Sequence, residues 1–326
     1  MAAGSGSRQD SAQSEFLARF EGQSRSDQER WLERERLTAA VAVLQKLCLV
    51  PAEFEISQDA ATKESHEAPE QKVLLALHAS ASTCILAGPA LNAWTLYPSQ
   101  ACRVRDWVDV LVHAREVNLA RAALREEGFS PVPEATGRNE SAQAWRHARD
   151  SSCPGVKLRW DFCDHPLLSR RFSIAGLLAK SVILDQPISG IRGLGPAHAV
   201  LFGALRWVDA VRERFRLIDL LDQDLRWRSL DREQVADLAL LARQRGVAGI
   251  LAEHLELTAR TFGTPIPEEL RRSLRQTGKH ERSVSLLGAR RGRLRYHGLG
   301  VVYGHGLRAR WRHALSLFVP DRIGWP

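Results

Sequence analysis

Residues Ile85–Val112 read ILAGPALNAWTLYPSQACRVRDWVDVLV. The first residues continue an apolar strand from Thr83 to Ala87. Gly88-Pro89 breaks that strand, and Pro89 suits the first turn of the helix that follows, about Ala90 to Leu96. Tyr97-Pro98 closes the helix. A second strand, Trp107 to Val112, carries Asp109 between apolar neighbours. The stretch is therefore strand, glycine turn, helix, loop and acidic strand.

Working outward, Gln71–Ala81 has the spacing of a helix packed beside the first strand. Glu116–Glu127 forms another, stopped by Gly128. Phe129–Val132 is a short extended piece. Pro133–Pro154 is polar and poor in branched apolar residues, which predicts a loop or insertion. Val156–Cys163, VKLRWDFC, alternates: Val156, Leu158, Trp160 and Phe162 share one face, and Lys157, Arg159 and Asp161 the other. That is the pattern of a half-buried strand. After Pro196 the chain reads as helices only: His198–Arg214, Arg216–Leu225, one from Asp231 with Gln234 in capping-box spacing, and Val247–Phe262 after a break at Gly246.

Before the quoted stretch, residues 1–14 are small and polar and predict disorder. Glu15–Val50 has amphipathic helical spacing, ended by Pro51, and Ser57–Glu70 reads as an acidic surface loop. The organisation expected is a disordered start (1–14), a helical N-terminal segment (15–70), an α+β domain (71–195), a helical domain (196–270) and a basic C-terminal segment (271–326).

The composition, 44% hydrophobic and 26% charged over 326 residues, is that of a soluble globular protein. The apolar runs are too short to span a bilayer and the first residues carry no signal pattern, so a cytoplasmic protein with no membrane partner is expected. Five cysteines (Cys48, Cys84, Cys102, Cys153, Cys163) form no CxxC pair, which predicts free thiols. Cys153, Cys163 and His165 match no standard zinc spacing. Charge is uneven: between Arg271 and Pro326, 13 arginines or lysines meet only Glu281 and Asp321. That segment carries +11 of a net +8, and the rest sums to −3.

Two carboxylates that share a magnesium ion can neutralise a triphosphate and align an attacking oxygen with phosphorus. On a strand, residues two apart point the same way, so a D-x-D pair builds half of such a cage. The order Gly88, Leu96-Tyr97-Pro98, Arg103 and Asp109-Val110-Leu111-Val112 resembles the uncharacterised bacterial nucleotidyltransferase family of the DNA polymerase beta-like superfamily. The resemblance continues through Gly128-Phe129, Val156–Trp160, His198 and Arg216–Asp219, and covers roughly Gln71 to Pro267. It implies a minimal nucleotidyltransferase mixed sheet flanked by helices, followed by an α-helical domain. It also implies a nucleoside triphosphate with Mg2+, and transfer of a nucleoside monophosphate to an unknown acceptor. The catalytic and metal residues implied are Asp109 with Asp106, and Asp161 as a further acid. The implied nucleotide-binding residues are Gly88, giving close backbone access to phosphate, and Arg103, Lys157, Arg159, His198, Arg216 and Asp219.

The chain departs from the family pattern at the catalytic positions. The first acid of the pair falls at Trp107. Asp106 lies three residues from Asp109, on the opposite side of a regular strand, and only a bulge would bring both to one metal. The third carboxylate falls at Lys157 and the family histidine at Arg159. Asp161 shares their face but stands four residues along, about 13 Å by strand rise. Two readings follow: a magnesium site of altered geometry, or a non-catalytic nucleotide- or partner-binding scaffold that keeps the fold. In the second, Lys157 and Arg159 either hold phosphate without metal or simply mark lost function. Arg216 and Asp219 also have the spacing of a surface ion pair. Trp207, Trp227 and Trp311 read as core or interface anchors. Arg290, Arg291, Arg293, Arg295, Arg308, Arg310 and Arg312, with Tyr296 and Trp311 among them, offer a polyanion surface, with a solvated basic face as the alternative.

Overall fold

A computed structural model describes residues 67–132, 141–150, 153–209 and 216–289, with isolated positions between 27 and 44 and at 299 and 302. The expectations for 1–14, for most of 15–66 and for the arginines after 289 lie outside the described residues.

The first described helix, α1 (Glu67–Ser80), starts inside the stretch that reads as an acidic loop. Glu70 turns inward, fully buried, and accepts hydrogen bonds from Trp94 Nε1 and the Arg105 guanidinium. A buried charge is tolerated only when paired in this way. Next come β1 (Ile85–Ala87), α2 (Gly88–Thr95), β2 (Trp107–Leu111), α3 (Val117–Glu126) and β3 (Phe129–Pro131). Each stands where the apolar pattern puts it, to within a residue or two.

The segment 133–154 holds a strand that its composition hides. β4 (Ala142–His147) has only one large apolar side chain, Trp145, yet it pairs antiparallel with both β3 and β5 (Gly155–Arg159). Small Ala142 and Ala144 lie on the face where bulkier side chains of β5 need room. β5 ends at Arg159 and does not run on to Cys163. The Trp160 and Asp161 N–H groups both turn back to the Ser141 carbonyl, at 2.8 and 3.3 Å. Nor is β5 half-buried, since Arg159 on its polar face is 2% exposed. Between 164 and 195 the chain forms α4 (Ile174–Ala179) and a small hairpin, β6 (Val182–Ile183) and β7 (Arg192–Gly193). The sequence pattern does not announce that hairpin.

Among the described residues the strands form one seven-stranded sheet, ordered β3-β4-β5-β2-β1-β7-β6. The β5–β2 and β1–β7 pairs are parallel and the others antiparallel. One face carries Val108, Val110, Val156, Leu158 and Trp145. α3 covers it, with Arg121 donating to Gln143 and Arg125 stacked on Trp145. The other face carries Asp109, Lys157 and Arg159 and lies under α5 (Pro196–Asp209). Each fully buried Val or Leu on these strands contributes about 1.5–3 kcal/mol.

The helices continue as α6 (Leu217–Arg228), α7 (Arg232–Gln244), α8 (Ala248–Phe262), α9 (Glu268–Gly278) and α10 (Ser285–Ala289). The Asp231–Gln234 capping box forms, with the Gln234 N–H on Asp231 Oδ1 at 2.8 Å. α8 and α9 cross glycine on glycine: a Cβ at Gly278 would stand 2.4 Å from Gly249 Cα. One apolar cluster runs from Val73 through the sheet and α5 to Leu286, across the expected boundary at 195. A second joins Leu32, Ala40 and Leu44 to Tyr97, Ile218, Leu221 and Phe262. Trp207 and Trp227 are both buried. The architecture is α+β, a mixed sheet flanked by helices and followed by helices alone. No helix among the described residues is long and apolar enough to cross a membrane.

Candidate functional site

Strand register builds the site. Asp109 on β2 lies opposite Ala87 on β1 and Lys157 on β5. Arg159, two residues along, shares their face because side chains alternate across a strand. α5 supplies Phe202 and Arg206, four residues apart and so on one helix face.

Asp109 is fully buried and both its oxygens are engaged. Arg159 Nε donates to Oδ1 at 2.8 Å, and Arg206 Nη1 donates to Oδ2. Arg159 reaches further, its Nη1 donating to Asp164 Oδ1 at 2.9 Å, where Ser141 Oγ also donates at 2.9 Å. The Phe202 ring lies beneath both guanidiniums, 5.7 and 5.9 Å from its centroid. Gly88 sits with φ +60 against the same carboxylate: a Cβ there would stand 3.0 Å from Asp109 Oδ2 and 3.2 Å from the Phe202 ring. Only glycine combines that backbone angle with that approach.

Burial alone would push the Asp109 carboxyl up. Arg206 and Arg159, with Lys157 behind them, outweigh it and hold the group below the usual carboxylate range. Asp164 behaves alike: burial opposes ionisation, Arg159 and Lys157 favour it, and the result is about 2. Three cations meet two carboxylates here, so these five groups carry one surplus positive charge.

The donor set does not fit magnesium. That ion demands a near-octahedral shell of oxygens and is repelled by nearby cations. The oxygens of Asp109 face guanidiniums, and Lys157 occupies the register position opposite. Among the described residues no group of three or more His, Cys, Asp or Glu side chains is placed to hold a metal ion. Asp106 stands just before β2, its side chain 40% exposed, with Oδ2 3.7 Å from Arg216 Nη1. Asp161 lies in the turn after β5 and not on the strand. Its carboxylate accepts the N–H groups of Cys163 at 3.4 Å and Arg170 at 3.2 Å.

The remaining sequence-derived residues lie elsewhere. Arg103 is buried at the joint between the sheet and α6, where Asp222 takes its Nε and Nη2 and Asp219 takes Nη2 as well. Tyr97 Oη donates to the same Asp222 at 2.8 Å. Asp219 therefore pairs with Arg103, not with Arg216, and it accepts the Arg216 N–H at 3.2 Å to start α6. His198 stands on the first turn of α5, edge-on to Phe162 and Phe172, each 6.5 Å away between ring centroids. Thus Gly88, Asp109, Lys157 and Arg159 come together, while Asp106, Asp161, Arg103, His198, Arg216 and Asp219 are placed apart from them.

Sequence reasoning missed Arg206, Phe202 and Asp164. The i, i+4 spacing of Phe202 and Arg206 is visible in the sequence, but nothing local says that this face of α5 lies on β2. Among the described residues, Cys84, Cys102, Cys153 and Cys163 form no disulfide.

No protein-family model matches the chain, and no curated protein matches it. Among solved structures, one from H. pylori is described, provisionally, as a nucleotidyltransferase. It matches 69% of this chain and 95% of its own, at 12% identity and a TM-score of 0.33. A likeness that loose assigns neither a site nor an activity.

Proposed function

We propose that this chain is a nucleotidyltransferase-fold protein that works without metal-dependent nucleotidyl transfer, as a non-catalytic scaffold that binds a nucleotide or a partner. The observation that carries the reading is Asp109, fully buried with one guanidinium on each oxygen. Nucleotidyl transfer needs that carboxylate on a metal. Here Arg159 and Arg206 stand where a divalent cation would be held, and Lys157 adds a third positive charge to the same face. Magnesium could reach those oxygens only by displacing the guanidiniums that hold them, and against the repulsion of Lys157.

The order of features from Gly88 to Asp219 supports the nucleotidyltransferase fold, and so does Gly88 lying against the Asp109 carboxylate. The surplus charge at Lys157 and Arg206 favours an anionic ligand bound without metal. The odd cysteine count, with no CxxC pair, supports a cytoplasmic setting.

The test is a calorimetric titration of ATP and GTP into wild type and Asp109→Asn, with and without Mg2+, while pyrophosphate release is followed in the same samples. Circular dichroism checks that the variant folds. The expected result is no pyrophosphate, and nucleotide affinity that changes less than about threefold when Mg2+ is added. Mg2+-dependent binding that Asp109→Asn abolishes, with pyrophosphate formed by wild type, overturns the reading.

A further inference from the structure

We propose that the corner where the ends of α7 and α9 meet is a docking surface for the phosphate backbone of a duplex nucleic acid, carried by Arg243, Arg245, Lys279 and Arg282. Three chain segments converge there. α7 ends at Gln244, α8 starts at Ala248, and α9 gives way to the turn from Lys279 to Val284. Arg243 Nη1 donates to Ser273 Oγ on α9 at 3.3 Å, and Ser283 Oγ donates to the Gly246 carbonyl at 2.6 Å. Arg171 Nη1 donates to the same carbonyl at 2.9 Å. The close crossing of Gly249 and Gly278 brings α8 and α9 together behind these bonds. The two helix ends are therefore pinned to each other, and the backbone positions of the four cations are fixed.

The charge at the corner is one-sided. Arg243, Arg245, Lys279 and Arg282 are all exposed, and among the described residues none is ion-paired with a carboxylate. The acid in the turn, Glu281, faces inward and accepts the Ala248 and Gly249 N–H groups at 3.0 and 2.9 Å. The other acids of the two helices stand in their first halves: Asp231, Glu233 and Asp237 at α7, Glu268 and Glu269 at α9. Four cations against Glu281 leave a surplus of three. Arg272, exposed and likewise without a carboxylate, continues the row along α9, seven residues before Lys279 and so on the same helix face. A helix dipole explains cations in one last turn. It does not explain two such ends, with Arg282 beyond them, gathered at one corner where like charges repel. The sequence runs on after α10 through seven arginines between Arg290 and Arg312, with no acid from Ser283 to Pro320.

A chain of phosphates matches a spread row of cations, and guanidiniums fork onto phosphate oxygens. The surface offers no rings: α7, α9 and the turn to Val284 contain no Phe, Tyr or Trp. Proteins that hold single strands use such rings to stack the bases. Contact here is with the backbone alone, so binding is set by charge and duplex shape and not by base sequence. Every exposed position of α9 is polar, so this helix has no apolar face to insert into a lipid surface. The corner contains none of the residues of the Asp109 cluster.

Fluorescence anisotropy of labelled duplexes of about 20 base pairs, one DNA and one RNA of the same sequence, titrated with the full chain over a range of NaCl concentrations, tests the proposal. Wild type should bind at least one of them, with log affinity falling against log salt at a slope of about −3 or steeper. Arg243→Gln, Lys279→Gln and Arg282→Gln should each make the slope shallower by about one unit, and the triple variant should bind about tenfold more weakly or worse. These side chains are exposed, and circular dichroism checks that the variants fold. Arg115→Gln, which removes an exposed arginine just before α3, should change affinity by less than about twofold. No duplex binding at low salt, a triple variant with the wild-type slope, or an equal loss in Arg115→Gln overturns the proposal. Binding to phosphatidylserine vesicles or to polyglutamate that matches the duplex in affinity also overturns it, since charge alone would then account for the corner.

Discussion

Two buried ion-pair clusters join the sheet to the helices, and they are built in opposite senses. Around Arg103, one guanidinium is shared by two carboxylates, Asp219 and Asp222, with Tyr97 also on Asp222. Around Asp109, one carboxylate is shared by two guanidiniums, Arg159 and Arg206. Their titration differs accordingly. Burial pushes Asp222 up, and Arg103, divided between two acids, does not fully offset it. Asp109 is also buried, yet it is held low because the cations outnumber it. The same residue types, equally dry, shift in opposite directions according to which partner is in surplus. The Arg103 cluster is a closed joint, with Arg103 only 2% exposed. The Asp109 cluster is closed to a like degree: Asp109 at its centre is fully buried, and its outer partner Arg206 keeps 27% of its side-chain surface where Asp219 of the Arg103 cluster keeps 32%.

Breaking the Arg103 joint should cost most. Arg103→Met leaves the buried Asp222 without its hydrogen-bonded guanidinium and should destabilise the fold by about 3–5 kcal/mol in urea unfolding. Asp109→Asn should cost less, about 2 kcal/mol, because Arg206 can turn to water and Arg159 keeps Asp164. Equal losses in the two variants would erase the distinction. Gly88→Ala adds a Cβ 3.0 Å from Asp109 Oδ2 at a left-handed φ. It should cost about 1–2 kcal/mol, read from the same unfolding midpoint.

The smallest effect is a change in the shape of the pH profile. Asp109 has its folded pKa depressed, so its contribution is present above the unfolded value of about 3.9 and is lost as pH falls through the folded value. Asp222 has its folded pKa raised. Its contribution is fully present below the unfolded value and is lost as pH rises through the folded one. Between neutral pH and about 4, acidification should therefore recover a little stability from Asp222. Below that, the fold should lose the contribution of Asp109. Asp222→Asn should flatten the first limb and Asp109→Asn the second, as measured by thermal melts across pH.

The chain from β1 to α3 was legible because each element carries its own signal: an apolar run, a Gly-Pro break, a helix-period stripe and a stopping glycine. The Asp231 capping box and the break at Gly246 were legible for the same reason. β4 was not, because Ala142, Gln143 and Ala144 lack the branched apolar residues that mark a strand. They form one because β3 and β5 supply the hydrogen-bonding partners. The β6–β7 hairpin is too short to show a period. The true end of β5 was set by Ser141, whose carbonyl draws the next two N–H groups out of line, and this removed Asp161 from the face of Asp109.

At the site, the sequence by itself determined that Asp109 sits among apolar neighbours, that Trp107 shares its strand face, and that Lys157 and Arg159 share a face of the next strand. These follow from strand alternation, a local rule. Only the tertiary structure decided what neutralises that carboxylate. Arg206 comes from a helix 97 residues away in sequence and Asp164 from a turn beyond the strand. It likewise placed Arg103 against Asp222 and not at the site. Charge pairing is a contact between elements, and periodicity within an element carries no information about which faces meet.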